Sequence, residues 1–446
     1  MIDLLPYQKT GAAFLAGRER AGLFDEMGVG KTAQAIHACD LVGAKRILVV
    51  CPASVREVWR GEFQKFAATK RRITKAEKIT DLNLWLRGKT DVLLVSYDRA
   101  ARWASHFEMH MAEVCIFDEA HYMKSPAAQR TRALLGTRCD GQDGVGRWAA
   151  RTWFLTGTPA PNDPIDIWSM LRFTGATPLP LATFTNKYLN VRPTAYSPVT
   201  KPKANMVGEL RDVIQSMSLR RTKVDVALQV PPIWLTTQTI EGDTSEIRAL
   251  LAQHPGLDQA IMDAVAKGGL SFLDAQHIAT LRRLTGEAKA PAMTELVAEE
   301  LNNGVDKIVL FGIHTRALDL IRDGLAARGF GCAVIDGRSS ESERVESVRA
   351  FQGDADCRVF LGNIRAAGTG ITLTAASEIV VFEPDWSPAN NAQALMRVHR
   401  LGQTRNVRAR FIALANSIDV QVITTLASKT AALAAIGFDG LTAPPV

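Results

Sequence analysis

Short apolar runs typical of β-strands recur along the chain in two separate series, with helical stretches between them. The first series occupies residues 46–51, 91–97, 113–117 and 152–155, and the second occupies residues 307–311, 332–335, 358–361, 378–382 and 408–414. Strands that alternate with helices form βαβ units, whose parallel strands are covered by helices on both faces. The sequence therefore predicts an α/β protein with two parallel-sheet lobes and helical insertions between them.

The stretch between the two series, residues 159–306, has mixed helical patterning and no strand rhythm. Within it, Val230-Pro231-Pro232 is the best break signal, because consecutive prolines cannot donate the hydrogen bonds that continue a helix or a sheet. We place the domain boundary there. Residues 1–230 then form an amino-terminal lobe with a helical extension, and residues 231–446 form a carboxyl-terminal lobe with a helical insertion at its start.

Hydropathy and cysteine spacing restrict the class of protein. No window reaches the roughly 18 consecutive apolar residues that a membrane helix needs, and the amino terminus has no basic segment before an apolar run. We therefore expect a cytoplasmic protein without a membrane partner. The six cysteines lie far apart and form no Cys-x-x-Cys pair, so neither a zinc site nor a disulfide framework is indicated.

The chain has a formal net charge of +7, and its basic residues are clustered. The clusters are residues 70–72, 220–223, 282–283 and 397–410. A positive excess favours a polyanionic partner such as nucleic acid. Basic runs are also common on solvated faces, so charge alone leaves both interpretations open.

A glycine-containing loop, residues 25–32, lies between the short apolar segment Leu23-Phe24 and a helical run. A loop of this kind brings backbone amides and a helix amino terminus to the phosphates of a nucleotide, and its Lys and Thr contact phosphate and Mg²⁺. Asp25 stands where the common pattern has its first glycine, so a simple glycine-rich turn remains an alternative. The residues expected to bind ATP with Mg²⁺ are Glu26, Met27, Gly28, Val29, Gly30, Lys31 and Thr32.

The sequence Asp118-Glu119-Ala120-His121 follows a buried apolar run. Carboxylates beyond the carboxyl end of a parallel strand can hold Mg²⁺ and activate a water, so we assign Mg²⁺ to Asp118 and the water to Glu119. His121 is expected to relay to a neighbouring motif. An acidic pair after a strand also often begins a helix, and a lone histidine is often structural, but the presence of Lys31 favours the catalytic interpretation.

Near the carboxyl end, Ser387 and Pro388 predict the start of a helix that Gly402 ends. Gln393, Arg397 and Arg400 would then stand on one helix face. Two arginines on one face usually form surface ion pairs. An arginine that reaches a γ-phosphate instead contributes about 10³ to 10⁵ in rate, and the position in the second lobe favours that role.

Taken in order, these motifs resemble those of the superfamily-two helicase-like ATPases of the Swi/Snf type. In the first lobe the resemblance is carried by Leu5-Pro6-Tyr7-Gln8, Val50-Cys51-Pro52-Ala53-Ser54, Val95-Ser96-Tyr97, Leu155-Thr156-Gly157-Thr158-Pro159 and Arg220-Arg221-Thr222-Lys223. In the second lobe it is carried by Ile335-Asp336-Gly337 with Arg344, by residues 367–373 and by Gln393-Ala394-x-x-Arg397-x-His399-Arg400-x-Gly402-Gln403.

The resemblance implies two RecA-like lobes and a role for each matching residue. The catalytic set is Lys31, Asp118, Glu119, Arg397 and Arg400, with Gln8 reading the adenine and with His121, Thr156, Thr158 and Gln393 coupling the motifs. Ser54, Ser96 and Thr369 are candidate grips on the phosphates of nucleic acid, although Ser and Thr after strands also cap turns. Trp386 is expected either to stack on a base or to fill the core.

The implied activity is that of an ATP-dependent double-stranded DNA translocase, stimulated by double-stranded or branched DNA, that remodels or reanneals DNA or displaces bound proteins. Residues 52–56 are similar to the annealing-helicase, fork-remodelling branch, and Thr372 replaces an asparagine of many chromatin remodellers. The chain leaves no room for accessory reader domains, which favours a minimal bacterial or phage motor. We expect a monomer that acts on DNA in the nucleoid or infected cell, with targeting by a partner protein left open.

Two other functions compete with this one. A strand-separating DNA or RNA helicase is suggested by the letters Asp-Glu-Ala-His, whereas residues 220–223 and 399–403 argue against it. A non-catalytic DNA-binding module would require broken ATP chemistry. Every expected catalytic residue is present in the sequence, which argues against such a module.

Overall fold

The chain divides into two compact units in a computed structural model that describes residues 3–108, 112–140, 143–192, 199–226, 230–254, 272–367 and 370–438. The first unit comprises Met1–Asn190, Pro202–Leu228 and Ala435–Gly440, and the second comprises Val191–Lys201, Gln229–Ala434 and Leu441–Val446. The main division thus lies beside Val230. Among the described residues, 191–192, 199–201, 435–438 and Val230 itself belong to the opposite unit from the one that a first domain of residues 1–230 gives them.

The described residues before position 220 contain nine strands. They are β1 (Arg20–Leu23), β2 (Ile47–Cys51), β3 (Ile73–Lys75), β4 (Val92–Ser96), β5 (Ala112–Asp118), β6 (Ala149–Leu155), β7 (Leu189–Arg192), β8 (Val199–Pro202) and β9 (Ser218–Leu219). Within the described ranges, seven of them form a parallel sheet in the order β3-β4-β2-β5-β6-β1-β9, and β7 pairs with β8 separately.

Helices connect the strands of this first unit. They are α1 (Pro6–Ala16), α2 (Lys31–Leu41), α3 (Arg56–Phe66), α4 (Ile79–Leu86), α5 (Tyr97–Arg102), α6 (Gln129–Leu135), α7 (Trp168–Thr174), α8 (Leu181–Tyr188) and α9 (Val207–Met217). One face of the sheet packs on α1, α2 and α3 through Leu15, Ile36 and Trp59. Every residue of β2 and β4 is buried, as is typical of parallel strands covered on both faces.

The second unit has its own parallel sheet. Its strands are β10 (Ile233–Ile240), β11 (Ile308–Gly312), β12 (Gly331–Ile335), β13 (Cys357–Asn363), β14 (Glu378–Val381) and β15 (Val407–Leu414). Its helices are α10 (Ser245–Gln253), α11 (Phe272–Asn302), α12 (Thr315–Ala326), α13 (Glu341–Gly353), α14 (Ile364–Ala367), α15 (Pro388–Leu395) and α16 (Asp419–Ala434). The strand order across the described residues is β10-β15-β14-β11-β13-β12, which confirms the predicted pair of parallel-sheet lobes.

Residues 159–306 were expected to have mixed helical patterning and no strand rhythm, yet the described residues of this stretch contain four strands. The longest, β10, pairs with β15 along its whole length and forms the edge of the second sheet. Ile233 and Leu235 pack against the core below, whereas Trp234 between them is 52% exposed. A tryptophan at a solvent-facing position hides the alternation of apolar and polar residues that marks a half-buried strand.

Two further properties concern the whole described chain. Every helix in the described ranges is too short or too polar to span a bilayer. All six cysteines are unbridged, and five of them are buried among other side chains.

Candidate nucleotide-binding site

The predicted strand, loop and helix of the phosphate-binding loop are all present at the carboxyl end of β1. Gly28 and Gly30 have φ angles of 86° and 83°, a left-handed conformation that favours glycine. Gly30 caps α2, and a Cβ atom there would lie 2.4 Å from Nε2 of Gln8. The amino terminus of α2 therefore begins at the end of the glycine-containing loop, an arrangement that binds phosphate oxygens.

Lys31 folds onto the loop from which it projects. Its Nζ donates hydrogen bonds to the carbonyl oxygens of Asp25, at 2.7 Å, and Glu26, at 3.1 Å. Burial lowers the pKa of Lys31, while the nearby carboxylates, Glu119 first among them, act in the opposite direction. A Cβ atom on Gly157 would lie 3.3 Å from this Nζ, so the Thr156–Thr158 segment reaches the loop closely.

Gln8 and Tyr7 hold the loop from the amino-terminal side. The Tyr7 hydroxyl donates to the carbonyl of Val29 at 3.1 Å, and Nε2 of Gln8 approaches the same carbonyl at 3.4 Å. Oε1 of Gln8 accepts a hydrogen bond from the Leu5 amide at 3.0 Å. Gln8 thus lies beside the loop, and its reading of adenine stays a prediction.

Asp25, which replaces a glycine of the common pattern, anchors the loop to residues far along the chain. Its carboxylate is fully buried and binds Arg221, with Oδ1 3.0 Å from Nε and Oδ2 2.5 Å from Nη2. Arg221 also donates to the Tyr7 carbonyl at 2.7 Å and to Oε1 of Gln34 at 2.8 Å. The sequence signals for this ion pair were the aspartate at a glycine position and the Arg-Arg-Thr-Lys segment. Local sequence patterns did not indicate that the two are in contact.

The segment from Arg220 to Lys223 extends the pairing of β1 with β9 into the loop. The Glu26 amide donates to the Arg221 carbonyl at 2.8 Å, and the Lys223 amide donates to Oε2 of Glu26 at 2.8 Å. Nζ of Lys223 lies 3.4 Å from the other oxygen of Glu26. The segment therefore fixes the first half of the phosphate-binding loop by backbone and charge together.

Asp118 ends β5 and carries more hydrogen bonds than the sequence indicated. Its Oδ2 accepts from Nε1 of Trp59 at 2.7 Å, and its main-chain oxygen accepts from the Tyr97 hydroxyl at 2.8 Å. Burial, together with the charge of Glu119, raises the pKa of Asp118 to about 6. Since crowding of carboxylates disfavours their charged form, a cation at this position would relieve the repulsion.

His121 brings the acidic pair and the Thr156–Thr158 segment together. Its Nδ1 lies 3.1 Å from Oγ1 of Thr156, 3.4 Å from Oγ1 of Thr158 and 3.3 Å from Oε2 of Glu119. Oγ1 of Thr156 also accepts the Thr158 amide at 3.0 Å. Glu119 itself has a left-handed φ of 53°, which is uncommon outside glycine. Of the three predicted coupling residues of the first unit, His121 thus contacts the predicted water-activating carboxylate, and Thr156 and Thr158 contact His121.

The two candidate phosphate grips of the first unit lie at the same edge of the sheet. Ser54 is in the turn Ala53–Val55 that follows β2, and Ser96 is the last residue of β4, opposite Cys51. Ser96 is 8% exposed. Thr369 lies outside the described residues. The contacts of all three with nucleic acid stay predictions.

The predicted helix from Ser387 to Gly402 is wrong in its second half, because α15 ends at Leu395. The chain continues in turns, and the Arg397 carbonyl accepts the Leu373 amide at 2.8 Å instead of continuing the helix. Gln393 therefore lies on α15, whereas Arg397 and Arg400 do not share a helix face with it.

The two arginines have different surroundings within the second unit. Nε of Arg397 donates to the Gln393 carbonyl at 3.2 Å. Nη1 of Arg400 donates to Oγ1 of Thr372 at 2.9 Å and to the Ile371 carbonyl at 3.2 Å. Their action on a nucleotide stays a prediction.

Trp386 is partly buried in the second unit, where it packs on the cluster that includes Leu414 and Leu426. The guanidinium of Arg282 lies over its ring, 5.1 Å from the centroid, and Nζ of Lys429 donates to its carbonyl at 3.2 Å. These contacts favour the alternative that Trp386 fills the core, and base stacking stays a prediction.

The donors at the first site match the chemistry of a nucleotide with Mg²⁺. Amides at a helix amino terminus and an ammonium group suit phosphate, while the Thr32 hydroxyl and the Asp118 carboxylate supply the oxygen ligands that Mg²⁺ prefers. The glycine at position 30 lets the Gln8 side chain lie against the loop, since a Cβ atom there would be 2.4 Å from Nε2 of Gln8. The residues present therefore fit ATP and Mg²⁺.

Comparisons with known proteins agree with this chemistry. The SNF2-related domain family matches residues 7–249, and the helicase conserved C-terminal domain family matches residues 288–402. The SWI/SNF-related matrix-associated actin-dependent regulator of chromatin subfamily A-like protein 1 of Drosophila melanogaster is 29% identical over 98% of this chain and 56% of that protein. The DNA annealing helicase and endonuclease ZRANB3 of Homo sapiens is 30% identical over 93% of this chain and 39% of that protein.

The chain thus spans about half of the first of these relatives and less of the second. Among solved structures, the Sulfolobus solfataricus SWI2/SNF2 ATPase core in complex with dsDNA is 23% identical, with a TM-score of 0.45. That alignment covers 98% of this chain and 94% of the solved one.

Proposed function

The chain belongs to the SNF2-related family, and from this premise we propose that it is an ATP-dependent double-stranded DNA translocase whose ATPase is stimulated by DNA. The translocase would remodel or reanneal DNA or displace proteins bound to it. The observation that carries the proposal is the convergence of Lys31, the pair Asp118 and Glu119, and the Thr156–Thr158 segment on one edge of the first sheet.

The charge of the chain and the names of its relatives support DNA as the substrate. The net charge of +7 suits contacts with phosphates, which position a protein on DNA without reading its bases. Human ZRANB3 is named as a DNA annealing helicase, and the Drosophila relative as a regulator of chromatin. Reannealing or fork remodelling is therefore proposed ahead of nucleosome sliding.

The residues of the first unit have separate roles in ATP hydrolysis. ATP with Mg²⁺ supplies the phosphoanhydride bond to be cleaved and the cation that offsets its charge. The loop amides and Lys31 would bind the phosphates, and Thr32 and Asp118 would hold the cation. Glu119 orients the attacking water and accepts its proton. His121, which contacts Glu119, Thr156 and Thr158, transmits the resulting change in charge on Glu119 to the two threonines.

The remaining roles belong to both units. Arg397 and Arg400 of the second unit neutralise the charge that develops on the phosphate, and Gln393 beside them is a coupling residue. Ser54, Ser96 and Thr369 hold the DNA backbone. A monomer in contact with DNA accounts for these roles, and a targeting partner is compatible with them.

Steady-state ATP hydrolysis tests the proposal. Turnover is measured without nucleic acid and with linear duplex, forked DNA, single-stranded DNA and RNA, at two salt concentrations. The Glu119→Gln variant, which removes the proposed base but keeps its shape, serves as the blank. We expect duplex or forked DNA to stimulate most, and the effect to weaken at the higher salt concentration.

The same experiment separates the strand-separating alternative, which the letters Asp-Glu-Ala-His and the match to a helicase domain favour. Stimulation mainly by RNA or single strands would contradict the translocase and support that alternative. A ratio of forked to linear duplex stimulation well above one would support the annealing-helicase branch.

A further inference from the structure

Two buried aromatic side chains donate hydrogen bonds to Asp118, the carboxylate expected to hold Mg²⁺. Nε1 of Trp59 lies 2.7 Å from Oδ2, and the hydroxyl of Tyr97 lies 2.8 Å from the main-chain oxygen. Trp59 is 1% exposed and Tyr97 is 3% exposed, so water does not compete freely for either bond. Oδ1 of Asp118 accepts the amide of Glu119 at 3.0 Å. The hydrogen bonds from Trp59 and the Glu119 amide therefore orient the carboxylate of Asp118, and the bond from Tyr97 holds its main chain.

Trp59 belongs to the helix that continues from the turn of Ser54. That turn, Ala53–Val55, leads directly into α3, and Nε of Arg56 donates to the Ala53 carbonyl at 3.2 Å. The turn and the first residues of the helix are thus bound to each other. A displacement of the turn would move the helix that carries Trp59.

Tyr97 follows Ser96, and its ring packs on two other aromatic rings. It stacks on Tyr122 with centroids 5.3 Å apart and planes inclined by 13°, and on Phe117 with centroids 6.5 Å apart. The ring is therefore fixed by packing, and its hydroxyl contributes the link to Asp118. Replacing Tyr97 with phenylalanine would keep the stacking and remove the link.

The two turns are also joined to each other through Glu77. One oxygen of Glu77 lies 2.7 Å from Nη1 of Arg56, and the other lies 2.7 Å from Nη2 of Arg99 on α5. Arg56 belongs to the Ser54 side and Arg99 to the Ser96 side. The turns of Ser54 and Ser96, the two predicted phosphate contacts, are thus linked to each other through Glu77, and each is linked to Asp118 within the first unit.

We propose that Trp59 and Tyr97 are positioning residues through which DNA held at the Ser54 and Ser96 turns sets the orientation of Asp118. The inference rests on the proposed DNA-stimulated ATPase and names the path of that stimulation. DNA contact at either turn acts through one short hydrogen bond on the residue that holds the cation. Glu77, which pairs with Arg56 and Arg99, couples the movements of the two turns.

The test compares Tyr97→Phe, Trp59→Phe and Glu77→Gln with the wild-type chain. ATP turnover is measured without DNA and with saturating linear duplex, and duplex affinity is measured by fluorescence anisotropy. We expect the ratio of stimulated to basal turnover to fall by about fivefold in each variant, a typical coupling between two sites. Duplex affinity should stay at the wild-type value, because the grips themselves are unchanged.

The Mg²⁺ concentration at half-maximal turnover distinguishes the two kinds of link. It should rise in Trp59→Phe, which frees Oδ2 of Asp118, and stay unchanged in Glu77→Gln, which is remote from the cation. Glu57→Gln is the matched control, because Glu57 lies 2.9 Å from Lys75 and its side chain is 42% exposed, against 45% for Glu77. This control should keep the wild-type ratio.

Three outcomes overturn the inference. If basal and stimulated turnover fall by the same factor, these residues have a merely structural role. If the ratio of stimulated to basal turnover is unchanged in Tyr97→Phe and Glu77→Gln, DNA does not act on Asp118 through these contacts. If Trp59→Phe does not fold, Tyr97→Phe and Glu77→Gln alone decide the test. A wild-type chain that duplex DNA does not stimulate overturns the proposed function and the inference with it, whereas a stimulated wild type confines the failure to the inference.

Discussion

Arg221 binds both carboxylate oxygens of Asp25, with Nε 3.0 Å from Oδ1 and Nη2 2.5 Å from Oδ2. Asp25 is fully buried, and the side chain of Arg221 is 14% exposed. Loss of one partner leaves a charge without compensation in the interior, which costs about 3 kcal/mol or more. We expect Arg221→Ala to lower the free energy of unfolding by about that amount in urea denaturation.

The Asp25→Gly variant sharpens this prediction, since it restores the glycine of the common phosphate-loop pattern. It should nevertheless lose stability, because Arg221 then has no carboxylate. Arg72→Ala is the control, since Arg72 pairs with Asp91 at 2.8 Å with its side chain 60% exposed, and it should unfold like the wild type. Equal stability of Asp25→Gly and the wild type would contradict the anchoring role.

The pKa of Asp118 predicts a pH-dependent effect of Asp118→Asn on stability. Burial and Glu119 raise this pKa from 3.8 to about 6, so the unfolded state gives up the proton at a lower pH than the folded state. The ionised carboxylate therefore destabilises the fold progressively between about pH 4 and pH 6, and fully above that range. Without Mg²⁺, we expect the loss of this charge to make Asp118→Asn more stable than the wild type at pH 8 by about 3 kcal/mol.

Urea denaturation in EDTA at several pH values checks this expectation. The advantage of Asp118→Asn should largely disappear near pH 4, where the folded wild-type carboxyl is protonated and the unfolded one is about half protonated. Asparagine has one oxygen acceptor in place of the two that bind Trp59 and the Glu119 amide, and since loss of that hydrogen bond does not depend on pH, only the pH-dependent part of the difference is assigned to charge. An advantage of equal size at pH 4 and pH 8 would show that charge is not its cause.

Thr156 is predicted to couple hydrolysis to DNA through His121. The Thr156→Val variant removes the hydroxyl that contacts Nδ1 of His121 and the Thr158 amide while keeping the shape of the side chain. We expect DNA-stimulated turnover to fall about tenfold, which corresponds to a typical coupling free energy between sites. Turnover is measured with saturating duplex DNA and ATP.

Thr152→Val is the matched control for Thr156→Val. Thr152 lies on β6, which ends one residue before Thr156, and it is 1% exposed and donates to the Gly146 carbonyl at 2.9 Å. Both variants should lose about 1 kcal/mol of stability, since each leaves buried partners without a hydrogen bond. If turnover falls equally in both, the effect of Thr156 is structural and the coupling role is refuted.

The parts of the molecule that follow from local sequence were predicted, and the parts that depend on distant contacts were not. Continuous apolar runs such as Val92–Ser96 predict buried parallel strands without further information. The contact of Asp25 with Arg221 joins residues 196 positions apart, and no local periodicity reports it. The bonds of Trp59 and Tyr97 to Asp118 are of the same kind.

Helix ends gave the other errors. Ser387 and Gly402 are reasonable signals for a helix start and stop, yet the helix ends at Leu395. The Leu373 amide binds the Arg397 carbonyl, and this tertiary hydrogen bond replaces the intrahelical one. Such competition is decided by packing in the second unit, so a pattern of three or four residues cannot reveal it.

Arg400 is predicted to act on the charge that develops during hydrolysis and not on the bound nucleotide. Such a group stabilises the transition state without contributing to ground-state binding. We expect Arg400→Ala to lose about 10³ in turnover while ATP and duplex affinities remain near wild type. Arg405→Ala is the control, because Arg405 lies in the same basic cluster and pairs with Asp306 at 3.1 Å with its side chain 42% exposed. Turnover near the wild-type value in Arg400→Ala, or an equal loss in both variants, would refute the role of Arg400.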